Sequence, residues 1–244
     1  VETTPAPAGE CRIAYYEQDD IYVRNCDGSD VRRLTDHPAW DVEPAFSPDG
    51  QHIVFQSDRD CEPAPDEETH CLSLYIVDVD GSNLTRLTNG DDNNVGPTWS
   101  PDGSHIAFHR DCDLAIINPD GSNLWLWQSD VCIENPAWSP DGQRLAFGGF
   151  FTSAFPDDQH RDIYIINSDG TNLVKLARFE APGGVKTIWS PDGQKIGVQI
   201  DEHEKFGVHP YYLLNADGSG EPVEVESIPH SWYHWYWPQW GNGG

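Results

Sequence analysis

Methionine is absent from the 244 residues, and lysine occurs only four times, at 175, 186, 195 and 205. The 14 basic side chains stand against 41 acidic ones, a formal net charge of −27 at neutral pH. A surface that acidic repels phosphate backbones and anionic headgroups, which argues against nucleic acid and membranes as partners. It suits cations, basic proteins or high salt. No stretch approaches the ~18 consecutive apolar residues of a membrane-spanning helix, and no helical periodicity of useful length is present. The six cysteines include no CxxC pair, so disulfides in an oxidising compartment are expected rather than a zinc site. There is no GxSxG nucleophile motif and no HxH or HExxH metal spacing.

The opening segment VETTPAPAGE, with Val at position 1, is rich in Thr, Pro and Ala. It is read as a flexible lead-in over residues 1–10, left after removal of a signal peptide, with a single domain over residues 11–244. The expected location is therefore extracytoplasmic: secreted, cell-surface or periplasmic.

Internal repetition decides the fold class. The tetrapeptide SPDG occurs at Ser47–Gly50, Ser100–Gly103, Ser139–Gly142 and Ser190–Gly193, each time preceded by an aromatic residue: Phe46, Trp99, Trp138 and Trp189. A second motif, Asp-Gly-Ser/Thr, starts at Asp27, Asp80, Asp120, Asp169 and Asp217. From each Asp-Gly to the next SPDG the spacing is 20, 20, 19 and 21 residues, whereas from SPDG to the following Asp-Gly it is 33, 20, 30 and 27. One half of the repeat is rigid and the other carries insertions. Each unit reads as four short strands separated by these turns, as in Pro97–Ser100, His105–His109, Leu114–Asn118 and Leu124–Trp127.

Antiparallel four-stranded units repeated in this way predict an all-β, five-bladed β-propeller. The N-terminus supplies strands two to four of one blade, at Ile13–Tyr16, Ile21–Asn25 and Val31–Thr35. Trp237–Trp240 supplies the strand that would join this blade and close the ring. Within that geometry the cysteines pair as Cys11–Cys26, Cys61–Cys71 and Cys112–Cys132, out of the 15 pairings open to six cysteines.

The repeat, written here as PAFSPDGQHIVFQSDRD followed by LYIVDVDGSNLTRLT, resembles the WD40-like propeller repeat of the TolB family over about residues 11–240. The resemblance implies the fold. TolB-type propellers serve as periplasmic protein-binding platforms, and similar repeats occur beside peptidase domains and in some lyases. TolB proper has six blades and an additional N-terminal domain, neither of which is read here, so its partner is not carried over.

The SPDG and Asp-Gly turns make one face short and uniform. All length variation falls on the other, after strand two of each blade, at Ser57–Cys71, Gly148–Arg161 and Ile200–His209. Long loops on a rigid scaffold are where binding function concentrates. On this face lie His37, His230 and His234, together with aromatics that do not repeat: Trp40, Phe150, Phe151, Phe155 and Trp232. Exposed rings of this kind anchor protein partners or stack on sugars. Asp41, Glu43, Glu134, Asp91 and Asp92 offer oxygen ligands suited to Ca²⁺, without any regular calcium spacing; no cofactor is otherwise required.

The leading expectation is a non-catalytic extracytoplasmic module that docks a protein partner or larger assembly through its long-loop face. A lectin-like, glycan-binding propeller is the first alternative. The second is a glycoside hydrolase or lyase using the funnel carboxylates Asp41, Glu43 and Glu134.

Overall fold

A computed structural model describes residues 11–61, 71–90, 92–128, 130–151, 160–181, 183–200 and 208–229. The strands form five antiparallel sheets in chain order. The first, blade 1, holds β1 (Arg12–Glu17), β2 (Asp20–Asn25) and β3 (Arg32–Arg33). Blade 2 holds β4 (Asp41–Phe46), β5 (His52–Ser57), β6 (Ser73–Asp78) and β7 (Thr85–Arg86), and blade 3 holds β8 (Asn94–Trp99), β9 (Ile106–Arg110), β10 (Asp113–Ile117) and β11 (Trp125–Trp127). In blade 4 come β12 (Val131–Trp138), β13 (Arg144–Phe151), β14 (His160–Asn167) and β15 (Val174–Glu180), and in blade 5 β16 (Val185–Trp189), β17 (Lys195–Ile200), β18 (Val208–Asn215) and β19 (Val223–Pro229). Blade 1 has three strands and the other four sheets have four, each pairing only with its sequence neighbours. The expected closing strand at 237–240 lies outside the described residues, so the sheets are described as an ordered series of blades.

In blades 2, 3 and 4 the middle strands are apolar on both faces because each of these blades packs between two others. In β5, Ile53 and Phe55 pack with Ile21 of blade 1. Val54, between them, packs with Trp99 and Phe108 of blade 3. The same alternation recurs in β13, where Leu145 and Phe147 join the core shared with blade 3 and Ala146 joins the core shared with blade 5.

The repeated motifs serve these seams. Trp99 donates its indole N–H to the Ala45 carbonyl of the preceding blade at 3.1 Å, and Trp189 does the same to Ala137 at 3.0 Å. Inner strands are also tied by backbone bonds to the blade before: Asp41 N–H to Asp19 O, Asn94 N–H to Leu72 O and Ile133 N–H to Cys112 O, at 2.7–3.1 Å. The SPDG turns abut in turn. A Cβ added at Gly103, Gly142 or Gly193 would lie 3.7–3.8 Å from the proline of the preceding turn, Pro48, Pro101 or Pro140.

Each turn is closed by its own polar groups. In blade 3 the Ser100 hydroxyl donates to Asp102 at 2.6 Å, the Ser104 N–H donates to the same carboxylate at 3.0 Å, and the His105 N–H donates to Ser100 Oγ at 2.9 Å. These donors, Ser100 first, hold Asp102 down at about 2. Asp141 and Asp192 are lowered chiefly by the hydroxyls of Ser139 and Ser190. Burial pushes Asp49 the other way, but the Ser47 hydroxyl and the Gln51 N–H outweigh it. In the outer turns, Asp27, Asp80, Asp120, Asp169 and Asp217 are lowered by the hydroxyl and N–H of the Ser or Thr two residues on.

Carboxylates that bind protons less readily folded than unfolded stabilise the fold above the unfolded pKa, and lose that contribution as pH falls through the folded value. Chemical denaturation followed across pH should therefore show constant stability from these turns above about 4.5 and a progressive loss from about pH 4 toward 2. A flat profile through that window would contradict the assignment.

Candidate functional site

The long-loop face is built at the ends of β4, β5, β8, β9, β12 and β13. In blade 2 the segment His37-Pro38-Ala39-Trp40 crosses from blade 1 and is pinned at two points. His37 Nδ1 accepts the Ala39 N–H at 3.1 Å, and Asp58 Oδ1 accepts the Trp40 N–H at 2.7 Å. The Trp40 side chain is left 43% exposed on this fixed backbone. Asp41, next to it, is fully buried and meets Arg59 Nη2 at 2.6 Å. The Arg59 guanidinium lies over the rings of Phe55 and Tyr75, 5.5 and 4.7 Å from their centroids. The Tyr75 hydroxyl is bonded to Asp60, and burial, followed by that carboxylate, pushes its pKa up.

Blade 3 repeats the scheme with different residues. Asp111 Oδ1 accepts the Asn93 N–H at 3.0 Å, and the Asp111 N–H returns to Asn93 O at 2.8 Å. Arg110 pairs with Asp92. In blade 4 Arg161 Nε meets Glu134 Oε1 at 2.9 Å, and its guanidinium sits 4.4 Å from the Phe150 ring centroid. Phe151, the last residue of β13, is 41% exposed.

The sequence-derived candidates therefore separate into groups. Trp40 and Phe151 stand out on the face, whereas Phe150 is engaged by Arg161 and His37 serves as a backbone acceptor. Asp41, Asp92 and Glu134 lie in three different blades, each on an arginine. Among the described residues no three His, Cys, Asp or Glu side chains converge on a cation-sized site. Asp91, Phe155, His230, Trp232 and His234 lie outside the described residues. All three expected disulfides form: Cys11–Cys26 across the β1–β2 hairpin, Cys61–Cys71 within blade 2's insertion, and Cys112–Cys132 across the seam between blades 3 and 4.

Sequence reasoning missed a bulge in the inner strands. Register shifts interrupt β4, β8 and β12 just before the aromatic-SPDG motif. The residue at the shift has positive φ: Glu43 at 51°, Gly96 at 64° and Asn135 at 47°. Proline follows each one, at 44, 97 and 136, and β16, which lacks that proline, pairs with β17 without a shift. The x-Pro dipeptide two residues before the aromatic is thus the sequence signal for a bulge that re-aims the inner strand. The freed groups link blades. Gly96 N–H reaches Gln56 Oε1 at 3.1 Å, and Asn135 Nδ2 reaches Val185 O at 2.9 Å. A Cβ on Gly96 would come within 3.4 Å of the His109 ring, and burial lowers the pKa of that imidazole below 6.5.

Comparison with models of known protein families gives no match. An uncharacterized protein of Agrobacterium fabrum, Atu1656, is 31% identical over 187 residues, covering 72% of this chain and 59% of the relative. A solved TolB-type protein from Agrobacterium tumefaciens superposes with a TM-score of 0.59 at 28% identity, over 71% of this chain and 62% of the other. The crystal structure of TolB from Acinetobacter baumannii superposes with a TM-score of 0.67 at 17% identity, over 89% of this chain and 53% of that one. The fold is that of a TolB-like β-propeller. This propeller chain spans about three fifths of its curated relative's length.

Two tests follow for the TolB-like scaffold around the site. A Cβ on Gly148 would clash with Val185 Cγ2 and approach Glu134 Oε2 at 3.8 Å, so Gly148→Ala should cost about 1–3 kcal/mol in denaturant unfolding. A variant as stable as the parent would show that this seam can yield. His109 binds protons less readily folded than unfolded, so it favours the fold above pH 6.5 and loses that contribution as pH falls below it. His109→Gln should flatten the stability profile between pH 7 and 5 while leaving the loss below pH 4 in place.

Proposed function

We propose that this chain is a non-catalytic, extracytoplasmic scaffold whose long-loop face docks a protein partner. The observation that carries the reading is the pairing of two exposed aromatics, Trp40 and Phe151, with backbones fixed by the surrounding strands and hydrogen bonds. Large rings held out on a rigid frame give contact area at low entropic cost, which is how interface anchors work. The fold shared with TolB-type propellers supports the same reading, and three disulfides suit an oxidising compartment.

Catalysis by the funnel carboxylates is disfavoured by their surroundings. A glycosidase mechanism needs two carboxyl groups acting on one bond. Here Asp41 is buried against Arg59 and Glu134 is engaged by Arg161, so two of the three expected carboxylates are held in ion pairs.

The test is size-exclusion chromatography with mass detection on the untagged protein from its natural source. The parent chain should elute within a larger assembly. Each of Trp40→Ala and Phe151→Ala should weaken that association by about tenfold or more, with an unchanged thermal midpoint. Elution of the parent as an isolated chain, or assembly indifferent to both substitutions, would reject docking through this face.

A further inference from the structure

The opposite, short-turn face carries a feature that the docking reading does not use. The residue at or just before the start of the second strand of each blade is Arg12, His52, His105, Arg144 or Lys195. Where it is arginine, it reaches across the seam onto the aromatic residue before the next SPDG. Arg144 Cζ lies 4.7 Å from the Trp189 ring centroid, and its Nη1 donates to the Ala216 carbonyl at 3.4 Å. Its charge also helps to keep Asp141, in its own blade's turn, ionised. Arg12 Cζ lies 5.8 Å from the Phe46 ring centroid, with Nη2 donating to Gly50 O at 2.9 Å. Both seams are filled by the chain's own guanidinium.

Between blades 3 and 4 the same position is His105. Its imidazole is shorter, is tied back to Ser104 Oγ at 2.6 Å, and lies 6.5 Å from the Trp138 ring, tilted by 33°. A cleft of about 510 Å³ opens there, lined by His105, Trp138, Asp102, Asp141, Gln143 and Ser168 among others. Trp138 occupies the place of Trp189, Ser168 that of Ala216 and Asp102 that of Asp141 in the filled seam. The Trp138 indole N–H, unlike those of Trp99 and Trp189, is buried without an acceptor.

We propose that this cleft binds an alkylguanidinium cation, the head group of an arginine side chain presented by a partner molecule. The aromatic face attracts the delocalised cation, and the planar fork suits a carbonyl and a carboxylate at the cleft edge better than a compact ammonium does. The neighbouring seam is the template: the chain already holds a guanidinium on the corresponding set of groups.

Capped arginine (N-acetyl-arginine methylamide) is titrated into ¹⁵N-labelled protein, following the Trp138 indole N–H resonance assigned with Trp138→Phe. A saturable shift is expected, at least about tenfold weaker for capped lysine. Free arginine adds an ammonium and a carboxylate that the filled seam does not use, so it should bind no more tightly than the capped form. His105→Arg supplies the missing guanidinium from within and should abolish the shift with thermal stability equal to the parent or higher. Trp138→Leu removes the ring face and should abolish binding too, read by calorimetry because the reporter is gone. No saturable shift, equal affinity for capped lysine, tighter binding of free arginine, or undiminished binding by a folded His105→Arg would overturn the proposal.

Discussion

A four-stranded sheet with apolar residues on both faces cannot be buried by itself, and everything else in this chain follows from how the seam between two such sheets is closed. Residues such as Ile53 and Val54 are adjacent in sequence but belong to different cores, so blades 2, 3 and 4 are each half of two hydrophobic interiors. The seam is then fixed at three heights. Backbone bonds tie the starts of β4, β8 and β12 to the blade before, the indole N–H groups of Trp99 and Trp189 reach a carbonyl near the end of the preceding blade's inner strand, and the proline and glycine of successive SPDG turns abut at the short face. Hydrophobic burial supplies most of the free energy, while the polar links set the angle and register at which it is gained.

The turn-bearing half of the repeat was legible because its interactions are local. An Asp that accepts from a Ser hydroxyl and an N–H two residues on makes its turn from its own short sequence, with little need of a tertiary partner. The even cysteine set paired as expected for the same reason: once blades are counted, hairpin geometry brings Cys11 opposite Cys26, and loop adjacency brings Cys112 to Cys132. What sequence reasoning missed depends on partners from other strands. Asp41 and Glu134 look like available oxygen ligands in a linear reading, yet Arg59 comes to Asp41 from just beyond the neighbouring strand β5 and Arg161 comes to Glu134 from β14, across β13. The inner-strand bulges are written plainly as Glu43-Pro44, Gly96-Pro97 and Asn135-Pro136, but a linear reading that begins the inner strand at proline, as at Pro97, leaves out the residue that bulges.

Charge follows a similar division. The acidity has different consequences in different places: on the short-turn face it closes turns, while among the described residues of the long-loop face Asp41, Asp92 and Glu134 are each paired with an arginine. Composition alone could not separate these uses, since the same residue type serves each of them.

The Cys112–Cys132 bond differs in kind from the other two disulfides, which stay within one blade. It is a covalent staple between consecutive modules, whereas the other described seams are held by packing and hydrogen bonds. A front of unfolding that reaches this staple cannot simply peel the next sheet away. Blades 3 and 4 therefore make a double-width unit in the mechanical sense, giving the array one strong joint and a built-in grain along its length.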